Sequence, residues 1–190
     1  MVRMTLKRPL SAALALVALA AATGLALAQS GPATYDVATP ADLVADARAA
    51  YNQTKSNILR AAEQMPEADY AFKPTPEVRS FGQLMAHIAD FQFVYCGAAK
   101  GEQQVPRFEE IATTKADIIT ALRAGFVYCD ELYNNLTDLG AMQKVPLYGG
   151  TRARVSVLNT NVAHNQEHYG NLVTYIRLMG MVPPSSQPRQ

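Results

Sequence analysis

The sequence predicts an all-α protein, a four-helix bundle with a crossover connection. Three observations predict it. Four stretches, at about 40–64, 81–99, 114–136 and 151–179, carry apolar residues at helical spacing. No stretch alternates convincingly at strand period, and no internal repeat is present. Two long connections, 65–79 and 101–113, leave room for the chain to run back along a helix before the next one starts.

The N-terminal segment stands apart from these elements. Arg3, Lys7 and Arg8 precede an apolar run of Leu, Ala and Val from Leu10 to Leu25, and Ala26-Leu27-Ala28 follows as an A-x-A site. This pattern predicts a signal peptide over 1–28, cut before Gln29, and a periplasmic or secreted protein. Small residues dominate the run and a cleavage site follows it, which argues against a membrane anchor. Residues 29–39 read as a lead-in, 40–182 as the folded domain and 183–190 as a disordered tail.

Thr39-Pro40-Ala41-Asp42 starts the first helix with a Thr cap, Pro at the first position and a carboxylate in the first turn. Leu43, Ala47, Tyr51, Thr54, Ile58 and Ala62 continue it to about Gln64. Pro66, Pro74 and Pro76 make Met65 to Arg79 an irregular connection. Ser80-Phe81-Gly82-Gln83 is a capping box opening the second helix. There Phe81, Leu84, Met85, Ile88, Phe91 and Tyr95 form one apolar arc, with His87 at its margin.

A polar connection from Gly101 to Thr113 leads to a third helix, capped by Thr114 with Asp117. Its buried face runs through Ile118, Leu122, Phe126, Cys129, Leu132, Tyr133 and Leu136. Gly140, Pro146, Gly149 and Gly150 mark a loop, and a fourth helix runs from about Thr151 to Met179. Gly180 ends it and Pro183-Pro184 prevents continuation.

Charge bears on partners. The whole chain carries 17 Lys and Arg against 16 Asp and Glu. Loss of the three basic residues in 1–28 brings the remainder to about −2. No basic run interleaves with aromatics, so nucleic-acid binding is not expected. A small-molecule partner is.

The two cysteines, Cys96 and Cys129, are an even count for an oxidising compartment. They read as a disulfide, as two buried apolar residues, or as reactive thiols. Connection 101–113 can span roughly 40 Å, more than the roughly 30 Å of a 19-residue helix. If helices two and three therefore run parallel, the cysteines lie at similar heights and a disulfide becomes possible. If they run antiparallel, it does not.

The chemistry rests on three histidines, His87, His164 and His168. His164 and His168 form H-x-x-x-H, one turn apart on one helix face. With His164 at zero, His168 falls at about 40°, Asn161 at about 60° and Leu172 at about 80°, so both imidazoles border the apolar arc. Three imidazoles with an open position suit a reactive divalent metal. A single histidine beside an apolar face is usually a hydrogen-bonded structural residue; the metal reading rests on the coincidence that all three lie at core margins and two share one face. The residue after His164 is Asn165, so the Glu of the zincin helix motif is absent and a protease of that type is not expected. Asp90, one turn after His87, is placed either to orient that imidazole or to be solvated. Glu167 points towards the polar side, as a surface group or an outer partner of the site, and Asn161 lies on the histidine flank.

Arg79 to Gly101, RSFGQLMAHIADFQFVYCGAAKG, and Asn161 to Ser186, NVAHNQEHYGNLVTYIRLMGMVPPSS, resemble the DinB/YfiT-like superfamily. So does the preceding DYAFKPTPEVRS. The resemblance implies a four-helix bundle with one crossover. It also implies a divalent metal, Zn, Ni or Fe, held by His87, His164 and His168. It suggests a homodimer. Some members resemble thiol-dependent transferases or isomerases, a chemistry at odds with an exported chain in a thiol-poor compartment. The expectation is an exported metalloprotein, acting as a hydrolase or transferase. The alternative is a non-catalytic, stress-related or interaction bundle with a structural metal or none.

Overall fold

In the computed structural model, residues 36–188 are described. The signal segment expected at 1–28 and most of the lead-in lie outside the described residues. Helix α1 spans Pro40–Gln64 and begins in a capping box: the Thr39 hydroxyl accepts from Asp42 N–H, and the Asp42 carboxylate accepts from Thr39 N–H. Helix α2 spans Phe81–Lys100, with the Ser80–Gln83 capping box formed. It ends at Gly101, whose φ of 83° is the left-handed C-terminal cap conformation. Helix α4, Lys115–Asn134, is capped by Thr114, and helix α6 spans Arg154–Leu178.

These four long helices form a square. α1 packs on α4 and α6, α2 packs on the same two, and α1 and α2 face each other across a diagonal. The contacts fix direction. Going up α2, Gly82 meets Ile118, Gln92 meets Gly125, Cys96 meets Cys129 and Lys100 meets Glu131. Numbers rise together, so α2 and α4 run parallel and segment 101–114 is the crossover. α6 is antiparallel to α2, since Tyr175 reaches Arg79 at one end and Arg154 reaches Ala99 at the other. Cys96 and Cys129 are disulfide-bonded, with Cα atoms 5.5 Å apart, a distance ordinary for a disulfide. The parallel arrangement brings the two cysteines to the same height.

The core is aromatic and aliphatic. Tyr51 of α1 and Tyr133 of α4 stack with centroids 3.8 Å apart, next to Phe126 and Leu158, and Phe81 packs edge-on against Tyr70. At Gly125 α4 comes close against Gln92 of α2. A Cβ there would sit 2.9 Å from Gln92 Cβ, closer than real side chains come, and a tight 3.2 Å from the Ala89 carbonyl oxygen.

The structure departs from expectation in four places. The crossover is not wholly irregular: Phe108–Ile111 form a one-turn helix, α3. A short helix, α5, occupies Asp138–Met142. The loop expected before the last helix contains a hairpin of β1, Lys144–Leu147, and β2, Gly150–Ala153. Its turn residues Tyr148 and Gly149 both have positive φ, 51° and 75°, as a type I′ turn requires. Helix α6 therefore starts three residues later than expected. Last, the tail expected to be disordered at 183–190 is packed as far as Gln187. Pro184 is buried, Ser185 N–H donates to the Tyr169 hydroxyl at 2.9 Å, and the Gln187 side chain bonds Gln64 and Arg60 of α1. No helix among the described residues is long and apolar enough to cross a membrane.

Candidate metal centre

α2 and α6 cross with His87, His164 and His168 facing one another. His164 Nε2 lies 3.3 Å from His87 Nε2 and 3.1 Å from His168 Nε2. All three ligand atoms lie within 4.8 Å of one another. Two imidazole nitrogens on a tetrahedral ion, each about 2.05 Å from it, stand about 3.3 Å apart. The measured spacings match, so this cluster could hold a metal ion.

Local packing sets that geometry. Phe91, one turn past His87, lies 4.5 Å from both the His87 and His164 rings, and Tyr95 lies 5.5 Å from the His164 ring. This aromatic wall keeps water off the inner side. Burial, reinforced by the neighbouring His168 and His87, pushes His164 down to about 3. Burial and His87 also lower His168. His164 is therefore neutral across the physiological range, which is the ligand-competent form. The Nδ1 atoms of His164 and His168 are buried without a partner among the described residues.

His87 Nδ1 does have a partner, but not the expected one. It lies 2.9 Å from Glu109 Oε2, while Glu109 Oε1 accepts from Arg79 Nε at 2.7 Å. Burial raises Glu109, but the hydrogen bonds from Arg79 and His87 outweigh it and leave the carboxyl below its usual range. An ionised carboxylate only accepts. Nδ1 of His87 therefore carries the proton, and Nε2 presents its lone pair to the other two rings.

Asp90, the sequence candidate for orienting His87, points elsewhere. Its two oxygens accept from Phe108 N–H at 2.7 Å and Glu109 N–H at 3.0 Å, at the start of α3. Asn161 is also removed from the rings. It is fully buried and donates to Gln92 Oε1 at 3.2 Å, with the two disulfide sulfurs at 3.8 and 3.9 Å. Gln92 in turn donates to Asn165 Oδ1 at 2.7 Å, tying α2 to α6 directly behind His164. Glu167 is exposed and makes no hydrogen bond to the three rings among the described residues; it lines the cavity onto which His168 opens.

That cavity has a volume of about 760 Å³, and Arg79, Glu109, Glu167, Asn171 and Tyr175 contribute to its wall. His168 also lies on that wall. Glu109 carries no signal in the sequence, because a four-residue helix shows no periodicity, and Arg79, in the irregular connection before α2, has no helical phase that would aim it at the histidines. Gln92 was detectable as an amide inside an apolar arc, and Asn165 as the residue standing where a zincin has its Glu.

Comparisons place the fold among known proteins. A family model described as the DinB superfamily matches residues 50–172. Among solved structures, a DinB-like protein from Bacillus cereus is similar at 15% identity and TM-score 0.61, over 70% of this chain and 93% of that one. A DinB-like protein from Bacillus subtilis is similar at 19% identity and TM-score 0.61, over 76% of this chain and 99% of that one. A mycothiol-dependent maleylpyruvate isomerase is similar at 15% identity and TM-score 0.58, over 72% of this chain and 63% of that one. No curated protein matches the chain.

Proposed function

The chain belongs to the DinB superfamily, and on that premise we propose that it is an exported metalloprotein. In this reading His87, His164 and His168 hold one divalent ion, and a small molecule is bound and transformed in the adjoining cavity by hydrolysis or group transfer. The observation that carries the reading is the approach of three Nε2 atoms, at 3.1 and 3.3 Å, beside that cavity. A three-imidazole donor set suits Zn, Ni or Fe. When bound, such an ion supplies Lewis acidity towards an oxygen of the substrate.

The chain's own residues do the rest. Phe91 and Tyr95 exclude water from the ligand side. Glu109 holds a proton on His87 Nδ1. Arg79 and Tyr175 shape the cavity wall, the Tyr175 hydroxyl fixing the backbone by donating to the Arg79 carbonyl at 2.8 Å. Thiol transfer is not part of the proposal, because an exported protein meets little reduced thiol.

Metal content measured on purified protein beside His164→Ala tests the site. About one equivalent in the parent and a loss of at least ten-fold in affinity in the variant are expected. Equal content in both would rule the site out. Export is supported by the 1–28 pattern and by a buried disulfide, which forms in oxidising compartments. Sequencing the N-terminus of the secreted or periplasmic protein is expected to begin at Gln29; a cytoplasmic protein that keeps Met1 would contradict it.

A further inference from the structure

The crossover between α2 and α4 is more than a connection. Asp90 on α2 accepts from the backbone N–H groups of Phe108 and Glu109 at 2.7 and 3.0 Å. Those two bonds pin the first turn of α3 to α2, nearly one turn beyond His87. With α3 so placed, Glu109 turns its carboxylate back between two donors, Arg79 Nε at 2.7 Å and His87 Nδ1 at 2.9 Å. Of the two donors to Glu109, His87 is the more enclosed, its side chain 12% exposed against 43% for Arg79.

We propose that Asp90 and Glu109 are positioning residues for the metal-binding imidazole, acting in series: Asp90 places α3, α3 presents Glu109, and Glu109 fixes the tautomer and plane of His87. This rests on the metal reading above and adds to it the residues that prepare a ligand. Only a carboxylate fits the position. Arg79 Nε–H and His87 Nδ1–H both donate, so the group between them must accept on both oxygens. An amide of the same shape would turn its NH2 towards one of the two donors. Arg79 cannot give up its proton. The amide therefore faces either an unfavourable contact with Arg79 or a His87 forced to protonate Nε2 instead, the atom that must offer a lone pair.

Two readouts separate this from a structural role. The first needs no metal: imidazole 15N shifts of His87 in metal-free protein, at neutral pH. The parent is expected to show the Nδ1–H tautomer, and Glu109→Gln, which keeps size and packing, is expected to lose it. The second is Zn affinity by competition with a chelator. Glu109→Gln is expected to weaken binding about 10–100-fold. Asp90→Ala should shift both readouts in the same direction by a smaller factor. The double variant should bind no more weakly than Glu109→Gln alone, because both act through one bond.

A parent-like tautomer and affinity in Glu109→Gln would overturn the proposal. Additive losses in the double variant would remove Asp90 from the series. His87→Ala binding Zn like the parent would overturn the metal reading instead, and the metal-free 15N experiment would still decide the tautomer.

Discussion

Refolded in reductant, the protein will lose about 3–4 kcal/mol of stability relative to its oxidised form. The Cys96–Cys129 bond joins residues 33 apart in sequence, and closing a loop of that length in the unfolded chain accounts for about that much free energy. The loop it closes contains the entire crossover and α3. For a domain of about 150 residues the loss corresponds to roughly a 10 °C fall in melting temperature. Chemical denaturation with and without dithiothreitol measures it, with Cys96→Ala/Cys129→Ala as the control. The parent midpoint should drop in reductant and the control should not move. Two free thiols in the untreated parent, with a midpoint indifferent to reductant, would exclude the bond. The cost should reach the site as well. Asn161 sits against both sulfurs and shares Gln92 with Asn165, the neighbour of His164. A looser α2–α4 seam therefore loosens the α2–α6 seam that carries the histidines.

The long helices were legible because their ends and faces obey local rules. Thr39, Ser80 and Thr114 cap as their sequences say, since a cap is a bond between residues three apart. The angular phase of the histidines came through for the same reason, as helical periodicity fixes which residues share a face. Whether His87 would meet His164 was another matter. It depended on the direction of α2 relative to α4 and α6, a non-local fact that the length of segment 101–113 permitted but did not require.

What stayed hidden is short or non-local. α3 has four residues, too few for periodicity, and its place is set by Asp90, 18 residues earlier. Asp90 was a sound suspicion with the wrong target, because spacing along a helix does not show which way a carboxylate turns once another segment lies over it. The β1–β2 hairpin was masked by Pro146 inside its first strand, tolerable only because a two-stranded sheet is all edge. Its turn places Tyr148, not Asn or Asp, at a positive φ. The tail reads as disorder from its place at the chain's end, yet Pro183-Pro184, which stop the last helix, also preset the turn that lets Ser185 reach Tyr169.

Acid should unfold the metal-free protein in a window set by the histidines. Folding holds His164 at about 3 through burial and the adjacent His168 and His87, and lowers His168 in the same way. An unfolded histidine titrates near 6.5. Between those values the unfolded chain takes up protons that the folded chain refuses, so stability is complete above about pH 6.5 and falls as the pH drops. Each proton contributes a slope of up to about 1.4 kcal/mol per pH unit, reduced here by the partial exposure of the rings. Carboxylates such as Glu109, held below their usual range, act in the same direction but only below about pH 5. Between about pH 6.5 and 5 the decline therefore reports the histidines. Urea midpoints of chelator-treated protein at pH 7.5, 6.5, 5.8 and 5.0 should fall steadily, and His164→Gln should flatten the curve. Saturating Zn should hold the midpoint up to lower pH, because protons and the ion compete for the same three Nε2 atoms. A flat profile in the metal-free parent, or the parent's slope kept by His164→Gln, would mean that the ring is not forced to stay neutral. The cluster would then lose the property that makes it ready to receive a cation.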